Sequence, residues 1–415
     1  MKHFKNIFRT LLGVFLLTGG WFWSTGLSAQ TILSADTLQT IGNEPAEPAD
    51  TNPMDSVEVS LLTCSPHDEV YSLYGHTALR WHDLHANKGG DLVFNWGIFN
   101  FKKPHFVLRF VFGLTDYELG VGDLNAFCKY YEHWGSSVTE QVLNLTADEK
   151  LKLKEALQQN LLPENRIYRY NFFYDNCATR PRDIVEKCLN GKVQYNERQD
   201  FHPSYREMIG AQTKHSPWAT FGNDILLGVK ADFSTVRQQQ EFLPQNLLYD
   251  FDHAVVVSPD GTRRPLISQR RMAVKPGVQM YTTAFPFPPL LCFGALLVVT
   301  LALGVWEWHR KKTFKYFDAL LMLLTGLAGC VLTVMIFSQH PCTSLNLQLL
   351  LLNPLPLFFI HSVLTRKPTR WWKWSLALTA LFLLGGIFQH YAEGMYLLAL
   401  CLLLRVIINL FNFRR

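Results

Sequence analysis

Residues 170–183 read YNFFYDNCATRPRD and set one cysteine, Cys177, between an aromatic run and the predicted start of a helix. Apolar residues then recur at the three-to-four spacing of an amphipathic helix, before an Asn-Gly stop signal. A helix N-terminus with two nearby arginines favours the thiolate and lowers a cysteine pKa from its usual ~8.5. The stretch therefore predicts a reactive thiol, with a structural, half-buried cysteine as the alternative. Because the residue before a proline avoids helical angles, the helix could also begin only at Pro181 and leave Cys177 in a turn.

The N-terminal 56 residues predict an export signal followed by a leader. A basic start, an apolar core and the small-residue sequence Leu27-Ser28-Ala29 predict a signal peptide over 1–29, with an uncleaved anchor as the alternative. Residues 30–56 are rich in Pro, Ala, Asp, Glu, Asn and Thr, and they predict a flexible leader without packed structure.

The remaining chain divides into an expected globular domain over 57–284 and a membrane domain over 285–415. The membrane domain contains five apolar stretches long enough to cross a bilayer, which are 285–306, 316–337, 344–364, 374–391 and 393–412. Lys and Arg cluster after the first and third stretches and at the C-terminus, and the alternate connections carry none. By the positive-inside rule, the C-terminus is cytoplasmic and the globular domain lies outside, in agreement with the export signal. The spans show no paired charges or internal repeat, which argues against a transporter. The modest net charge of +5 and the lack of a nucleic-acid motif predict no nucleic-acid partner.

A predicted hairpin places a histidine beside an asparagine. The segments 74–82 and 92–96 alternate like strands and are joined by turn residues. Alternation puts His76 and Arg80 on one face of the first strand. If the connecting loop is symmetric, Asn95 lies opposite the middle of that strand, within diagonal reach of both. Arg80 could instead bind a substrate phosphate or carboxylate.

Cys177 and His76 are the components of a Cys/His nucleophile site. The histidine comes first, by 177 minus 76, or 101 residues, which is the reverse of the papain order and the order of circularly permuted papain-like enzymes. The predicted fold class is therefore α+β, with a permuted papain-like domain of the NlpC type followed by a five-helix all-α membrane domain. The orienting partner of a papain-like histidine lies on the next strand, so Asn95 is the first choice and His82 the second. The backbone N–H of Cys177, with a donor such as Asn176, would form the oxyanion hole.

Structural roles are the alternatives for these residues. His76 could be a satisfied core or rim histidine, and Asn95 could simply end a strand. A rival interpretation is a zinc site with the ligands Cys64, His67, His76 and His82. The spacing of these residues matches no standard zinc motif. We expect no metal and no cofactor. Export permits a disulfide between Cys64 and Cys128, but the spacing does not specify one.

Polar residues of the membrane part lie at or inside the outer leaflet, next to the expected catalytic face. Polar side chains at that depth carry a cost and are functional candidates. We expect His340, Asn346 and Asn353 to bind substrate, with Gln348 beside them. Helix packing interrupted by the prolines that follow is the alternative for Asn353.

Four motifs together resemble one family. They are YGHTALR at 74–80, FNWGIF at 94–99, the NRIY and NCATR segments within 165–180, and the HP and NPL segments within 340–355. The chain is similar, over nearly its whole length after the leader, to the Bacteroidota lipoprotein N-acyltransferases of the Lnb type. Those proteins have an N-terminal periplasmic domain and a multi-span membrane domain. Where the family has Tyr-Asn-Tyr-Gly, this chain has Phe-Asn-Trp-Gly, which leaves the asparagine intact, and residues 131–137 depart further.

The resemblance implies an enzyme of the bacterial inner membrane that moves a fatty acyl group onto the α-amine of a lipoprotein's N-terminal cysteine. Carried over by position, His76 is the base and Cys177 is the nucleophile that holds the acyl chain as a thioester. The implied partners are the bilayer, an acyl donor that is a phospholipid or the lipoprotein itself, and a lipoprotein N-terminus as acceptor. A membrane-anchored periplasmic cysteine peptidase or amidase is the alternative enzyme. A receptor or transport-associated membrane protein is the non-enzyme alternative.

Overall fold

The computed structural model describes residues 52–69, 71–86, 90–99, 104–279, 286–367 and 369–412. The predicted signal peptide and most of the predicted leader lie outside these described residues. At the described end of the leader, Pro53–Ser56 forms a short 3-10 helix, and Lys150 Nζ donates to the Met54 carbonyl at 3.0 Å. The expectation of an unstructured leader is therefore wrong for these last residues.

The described strands form two antiparallel sheets. Their bounds are β1 Val57–Cys64, β2 His76–Asp83, β3 Asp91–Ile98, β4 Asp116–Asp123, β5 Val138–Leu143, β6 Ile167–Arg169, β7 Lys192–Gln194, β8 Val255–Val257, β9 Arg263–Pro265 and β10 Ile267–Val274. The main sheet has the order β10-β5-β1-β2-β3-β4-β6, and the small sheet has the order β7-β8-β9. The predicted hairpin is confirmed as β2 and β3. β1 is buried at nearly every position because helices cover both faces of the sheet.

Nine helices of the described domain surround the sheet. They are α1 Phe106–Val111, α2 Leu124–His133, α3 Ala147–Leu161, α4 Pro163–Arg166, α5 Thr179–Cys188, α6 Tyr205–Thr213, α7 Pro217–Leu226, α8 Arg237–Gln240 and α9 Pro244–Asp252. Helices α3, α5 and α9 pack on one sheet face, where Leu153, Val185 and Phe251 join Leu79 and Trp96 in the largest core cluster. Helix α2 covers part of the other face. The result is the expected α+β class; a papain-like permutation is not established by this architecture.

The membrane part is helical but interrupted. Its α-helices are α10 Pro289–Arg310, α11 Lys315–Met335, α12 Ile360–Leu364, α13 Trp371–Gly385 and α14 Met395–Asn412, with short 3-10 turns at Leu347–Leu350 and Leu355–Phe358. Among the described residues, α10 and α11 are long and apolar enough to cross a membrane. The predicted third span, 344–364, is not a continuous helix, so the count of five spans is not confirmed.

Prolines explain the broken third segment. Pro354 and Pro356 lack backbone N–H groups and cannot continue a helical ladder. Asn353 bridges the break, since its Nδ2 donates to the Leu350 carbonyl and its Oδ1 accepts from the Leu355 N–H, both at 3.2 Å. These contacts match the alternative interpretation of Asn353, in which it takes part in helix packing that prolines interrupt.

A buried charge network joins three helices of the membrane part. Arg405 of α14 donates to Asp318 of α11 at 2.6 Å and to Glu307 of α10 at 2.5 Å. Asn409 adds a hydrogen bond to Asp318 at 3.0 Å. The expectation that the spans carry no paired charges is therefore wrong, because the partners lie on separate helices far apart in sequence.

We expect Arg405→Met to destabilise the folded protein by about 3–5 kcal/mol, because the substitution leaves two buried carboxylates without a partner. Thermal unfolding of the purified protein in detergent would measure the loss. The matched control combines Arg405→Met with Glu307→Gln and Asp318→Asn, and it should recover most of the stability. An unchanged melting temperature for Arg405→Met alone would show that the network does not hold these helices together.

Candidate active site

His76 and Asn95 lie side by side on the two strands of the predicted hairpin. The pairing of Leu79 with Phe94 fixes the register of β2 and β3, and its continuation places Asn95 where a symmetric loop was expected to put it. The His76 Nε2–H group donates to Asn95 Oδ1 at 2.7 Å. Because an amide oxygen only accepts, this contact puts the proton on Nε2 and leaves Nδ1 free to accept one.

Gly97 provides the space that the imidazole occupies. A Cβ atom built on Gly97 would lie 3.1 Å from His76 Cε1 and 3.7 Å from Asn95 Oδ1. Any larger residue would therefore press on the ring. The sequence patterns assigned no role to Gly97, although its position two residues after Asn95 on the same strand is the signal that could have found it.

Cys177 lies in the turn that leads into α5, which begins at Thr179. Pro181 therefore falls inside the first helical turn, where a proline is tolerated, and the helix begins two residues before it. The neighbouring Asn176 holds the turn, because its Oδ1 accepts from the N–H groups of Ala178 and Thr179 at 2.8 and 3.0 Å. The sulfur is thus placed just before a helix N-terminus, as predicted.

The thiol of Cys177 forms a hydrogen bond with His76, which joins residues 101 positions apart (177 minus 76) in the sequence. Burial raises the pKa of the Cys177 thiol, but the charge and hydrogen bond of His76 and the N–H groups of Thr77 and Cys177 outweigh it and hold the pKa below its ordinary value. Burial lowers the pKa of His76, whereas Cys177 and Asn95 raise it above its usual range. The arrangement favours a thiolate-imidazolium pair, which is the form of a cysteine that attacks carbonyl carbon.

The amide of Asn176 does not face the thiol as a free donor. Its Nδ2 donates to the Phe172 carbonyl at 2.9 Å and to the Phe242 carbonyl at 2.8 Å. Asn176 is therefore placed to position Cys177, and the N–H groups near the sulfur belong to Cys177 itself and to Thr77. The sequence did not suggest Thr77, since its contribution comes from the main chain.

Arg80 and His82 lie in a different network. The Arg80 guanidinium donates to Asp91 at 2.7 and 2.8 Å, to Glu140 at 2.7 Å and to His82 Nδ1 at 3.1 Å. These contacts occupy both sides of the guanidinium, and a substrate anion would have to displace a carboxylate. His82 does not orient His76, because its described partner is Arg80. These two residues are not part of the Cys-His-Asn arrangement.

His340 joins the membrane part to helix α1. Its Nε2–H donates to the Phe110 carbonyl at 2.6 Å, and Ser338 Oγ–H donates to the Val111 carbonyl at 2.7 Å. Carbonyls in the last turn of a helix have no partner within the helix. The predicted substrate-binding residue His340 therefore has an observed role in capping α1.

Asn346 and Gln348 cap α7 in the same way. Asn346 Nδ2 donates to the Ile225 carbonyl and Gln348 Nε2 to the Asp224 carbonyl, both at 2.8 Å. The structure thus places His340, Asn346 and Asn353 at docking or packing positions and does not bring them into contact with Cys177.

The residues of the rival zinc interpretation form no metal-holding group within the described part of the chain, and the permitted disulfide is not formed there. Within the described part of the chain, no group of three or more His, Cys, Asp or Glu residues could hold a metal ion. His67, for example, lies against Glu69, while His76 binds Asn95. Cys64 and Cys128 are both free, so the permitted disulfide is not formed.

Aromatic rings lie near the thiol. Tyr117 stacks on Tyr170 with ring centroids 4.1 Å apart, and Phe99 follows at 4.8 Å from Tyr117. Burial, and next the nearby Cys177 charge, raise the pKa values of Tyr117 and Tyr170 above their ordinary range, so both rings remain neutral. The tyrosine rings near the sulfur are therefore neutral, and both also pack against the largest core cluster.

Two family models match the chain. Residues 44–211 match the model described as the Lnb N-terminal periplasmic domain, and residues 281–415 match the model described as the Lnb transmembrane domain. No curated protein and no solved structure matches the chain. The two models together cover most of the sequence, including His76, Asn95 and Cys177.

We expect His76→Ala to slow the alkylation of Cys177 by iodoacetamide about tenfold at about pH 6, because the thiol loses the group that lowers its pKa while burial still raises it. The sign follows from the shift: wild-type Cys177 should become reactive at lower pH than an ordinary thiol, and the variant only at higher pH. Peptide mass spectrometry across a pH series would separate Cys177 from the other seven cysteines. Equal pH profiles would contradict the pairing.

A second test uses the space beside His76. Gly97→Ala should displace the imidazole and reduce Cys177 alkylation at the same pH severalfold, because misplacing a catalytic group by a fraction of an ångström is costly. Gly122→Ala is the matched control on the adjacent strand β4, since a Cβ built there meets no atom within 4 Å. Similar reactivity of the two alanine variants would show that Gly97 does not position His76.

Proposed function

The chain belongs to the Lnb family, and from that premise we propose that it is a cysteine-dependent acyltransferase. The family is one of membrane proteins with a periplasmic N-terminal part, and membership suggests an enzyme of lipoprotein biogenesis. The proposed reaction moves a fatty acyl group through a thioester on Cys177 to the N-terminal amine of a lipoprotein. The observation that carries it is the Cys177-His76-Asn95 arrangement.

Contacts close to the site join it to the membrane part of the chain. Tyr174, three residues before Cys177, places its hydroxyl 3.9 Å from the Cys342 sulfur in the connection after α11. Phe173 packs in the same cluster as Cys342. An acyl donor held in a membrane could therefore present its ester bond to the thiolate without leaving the lipid phase entirely.

The first half of the reaction forms the thioester. Nδ1 of His76 takes the proton of Cys177, and the sulfur attacks the ester carbonyl carbon of the donor. The N–H groups of Cys177 and Thr77 are the donors nearest to the oxyanion that develops there. When the carbon-oxygen bond breaks, the imidazolium returns its proton to the leaving alkoxide, and the acyl chain stays on sulfur.

The second half transfers the acyl group to nitrogen. The neutral α-amine of the lipoprotein attacks the thioester carbonyl, and His76 takes the proton that the nitrogen loses. The carbon-sulfur bond then breaks and regenerates the thiolate-imidazolium pair. Asn95 keeps the imidazole in one orientation through both halves, because its oxygen accepts the Nε2–H in each protonation state.

The aromatic surface beside Cys177 supports a lipid substrate. A fatty chain gains about 0.8 kcal/mol for each CH2 that leaves water, so a surface formed by Phe99, Tyr117 and Tyr170 can retain the acyl-enzyme. A peptidase or amidase would use the same Cys/His pair with water as acceptor and would need no such surface.

The proposed topology follows the basic residues. The Lys and Arg clusters after α10 and at the C-terminus favour the cytoplasm, whereas the connection that docks on α1 carries none. We therefore place the C-terminus in the cytoplasm and the Cys-His pair in the periplasm, at the outer surface of the inner membrane.

Cys177→Ala and His76→Ala should each reduce N-acylation of a lipoprotein below detection, because one lacks the acyl carrier and the other the base. The assay would use the purified full chain in vesicles with a lipoprotein acceptor and mass spectrometry of the acceptor's N-terminus. Vesicle phospholipids with isotopically labelled acyl chains identify the donor: labelled product indicates a phospholipid, and unlabelled product indicates the lipoprotein's own acyl chain.

Cys128→Ala is the matched control, because Cys128 is a free cysteine of the same domain and has no role in the mechanism. It should retain wild-type N-acylation. Unchanged N-acylation in both active-site variants would refute the proposal, and peptide cleavage without acyl transfer would favour the peptidase alternative.

A further inference from the structure

Helix α1 of the catalytic domain exposes apolar side chains beside the end of a membrane helix. Leu108 is 41% exposed and Phe110 48% exposed. Phe337, two residues after the end of α11, is 74% exposed. Large apolar groups held together on a surface mark a contact with a partner or with lipid.

Helix α1 and the connection that follows α11 are held together by specific contacts. His340 binds the Phe110 carbonyl, and its ring also lies 5.3 Å from the Phe110 ring. Gly113, which follows α1, has a φ of +67°, and a Cβ there would lie 2.7 Å from the backbone nitrogen of His340. This close approach requires glycine, so α1 is fixed against the connection that follows α11.

The same connection contacts the segment that leads to the nucleophile. Its first residues, 338–340, contact α1, while Cys342 contacts Tyr174 in the segment that leads to Cys177. In the sequence, α1 lies between β3, which carries Asn95, and β4. Lipid beside α1 would therefore lie next to a connection that also contacts the segment before Cys177.

We propose that Leu108 and Phe110 lie among the acyl chains of the outer leaflet, and that lipid approaches Cys177 laterally over residues 338–342. Two observations identify the occupant as the bilayer. The surface is continuous with the end of α11, which is long and apolar enough to span a membrane. Arg109 lies between the two apolar residues, where its long stem can bury while its guanidinium stays at the polar surface, bound to Asp116 at 2.5 Å.

The placement requires the chain to be a membrane protein and does not depend on the acyl-transfer reaction. Its test is photo-crosslinking of the full chain in vesicles of phosphatidylethanolamine and phosphatidylglycerol. p-Benzoylphenylalanine would replace Leu108 or Phe110 in turn, with Phe337 as the lipid reference and Leu84 as the matched control. Leu84 is 57% exposed and directly follows β2. The last residue of β2, Asp83, lies about 23 Å from His76 at ~3.3 Å per residue.

The result we expect is lipid adducts at positions 108 and 110 in yields similar to position 337, and roughly tenfold above position 84. Adduct yields at 108 and 110 equal to that at 84 would overturn the proposal, because those residues would then face water or a protein partner that is missing from the vesicles.

A kinetic measurement separates this placement from the chemistry. Phe110→Ser should raise the KM for a vesicle-borne acyl donor by about threefold or more and leave kcat unchanged, since the residue does not touch the reacting atoms. Leu84→Ser should change neither constant. If the chain transfers no acyl group at all, the crosslinking yields still decide where α1 lies.

Discussion

The hydrogen bond between His76 and Cys177 offsets the cost of burying a reactive sulfur, and the surrounding residues serve that contact. Burial alone would keep the thiol protonated and inert. Asn95 fixes the imidazole tautomer, Gly97 leaves room for the ring, and Asn176 fixes the turn that presents the sulfur. Asn95 and Asn176 make these contacts within the protein itself, so the pair is already organised before a substrate arrives.

A second constraint holds the periplasmic domain against the membrane part of the chain. Helices α1 and α7 end with carbonyl groups that need partners, and side chains of the membrane part supply them. His340 and Ser338 serve α1, while Asn346 and Gln348 serve α7, and Gln389 donates to the Leu227 carbonyl at 3.0 Å. Because a donor and a carbonyl must meet within a few tenths of an ångström, these contacts set the position of the periplasmic domain more closely than apolar packing would.

Most of the hairpin and its histidine-asparagine pair could be predicted, because strand periodicity and a short connection together determine register. The same periodicity placed Arg80 on the face of His76 but could not show that Asp91 and Glu140 bind it. It also gave no sign of Thr77, whose contribution is a main-chain N–H. In the membrane part, hydropathy predicted the helical character but missed the break at Asn353 and the pairing of Arg405 with Glu307 and Asp318. Hydropathy averages over a window, and neither a local break nor a contact between distant residues changes that average.

The sequence by itself determined the strand alternation that puts His76 beside Asn95, the helix start that follows Cys177, and the division into a globular and a membrane part. These features depend on neighbours along the chain, so local periodicity and composition record them. Only the tertiary structure decided which polar side chains work at the sulfur and which hold the domains together. A histidine or asparagine has the same donors and acceptors in either role, and its function depends on the group that folding brings within hydrogen-bond distance.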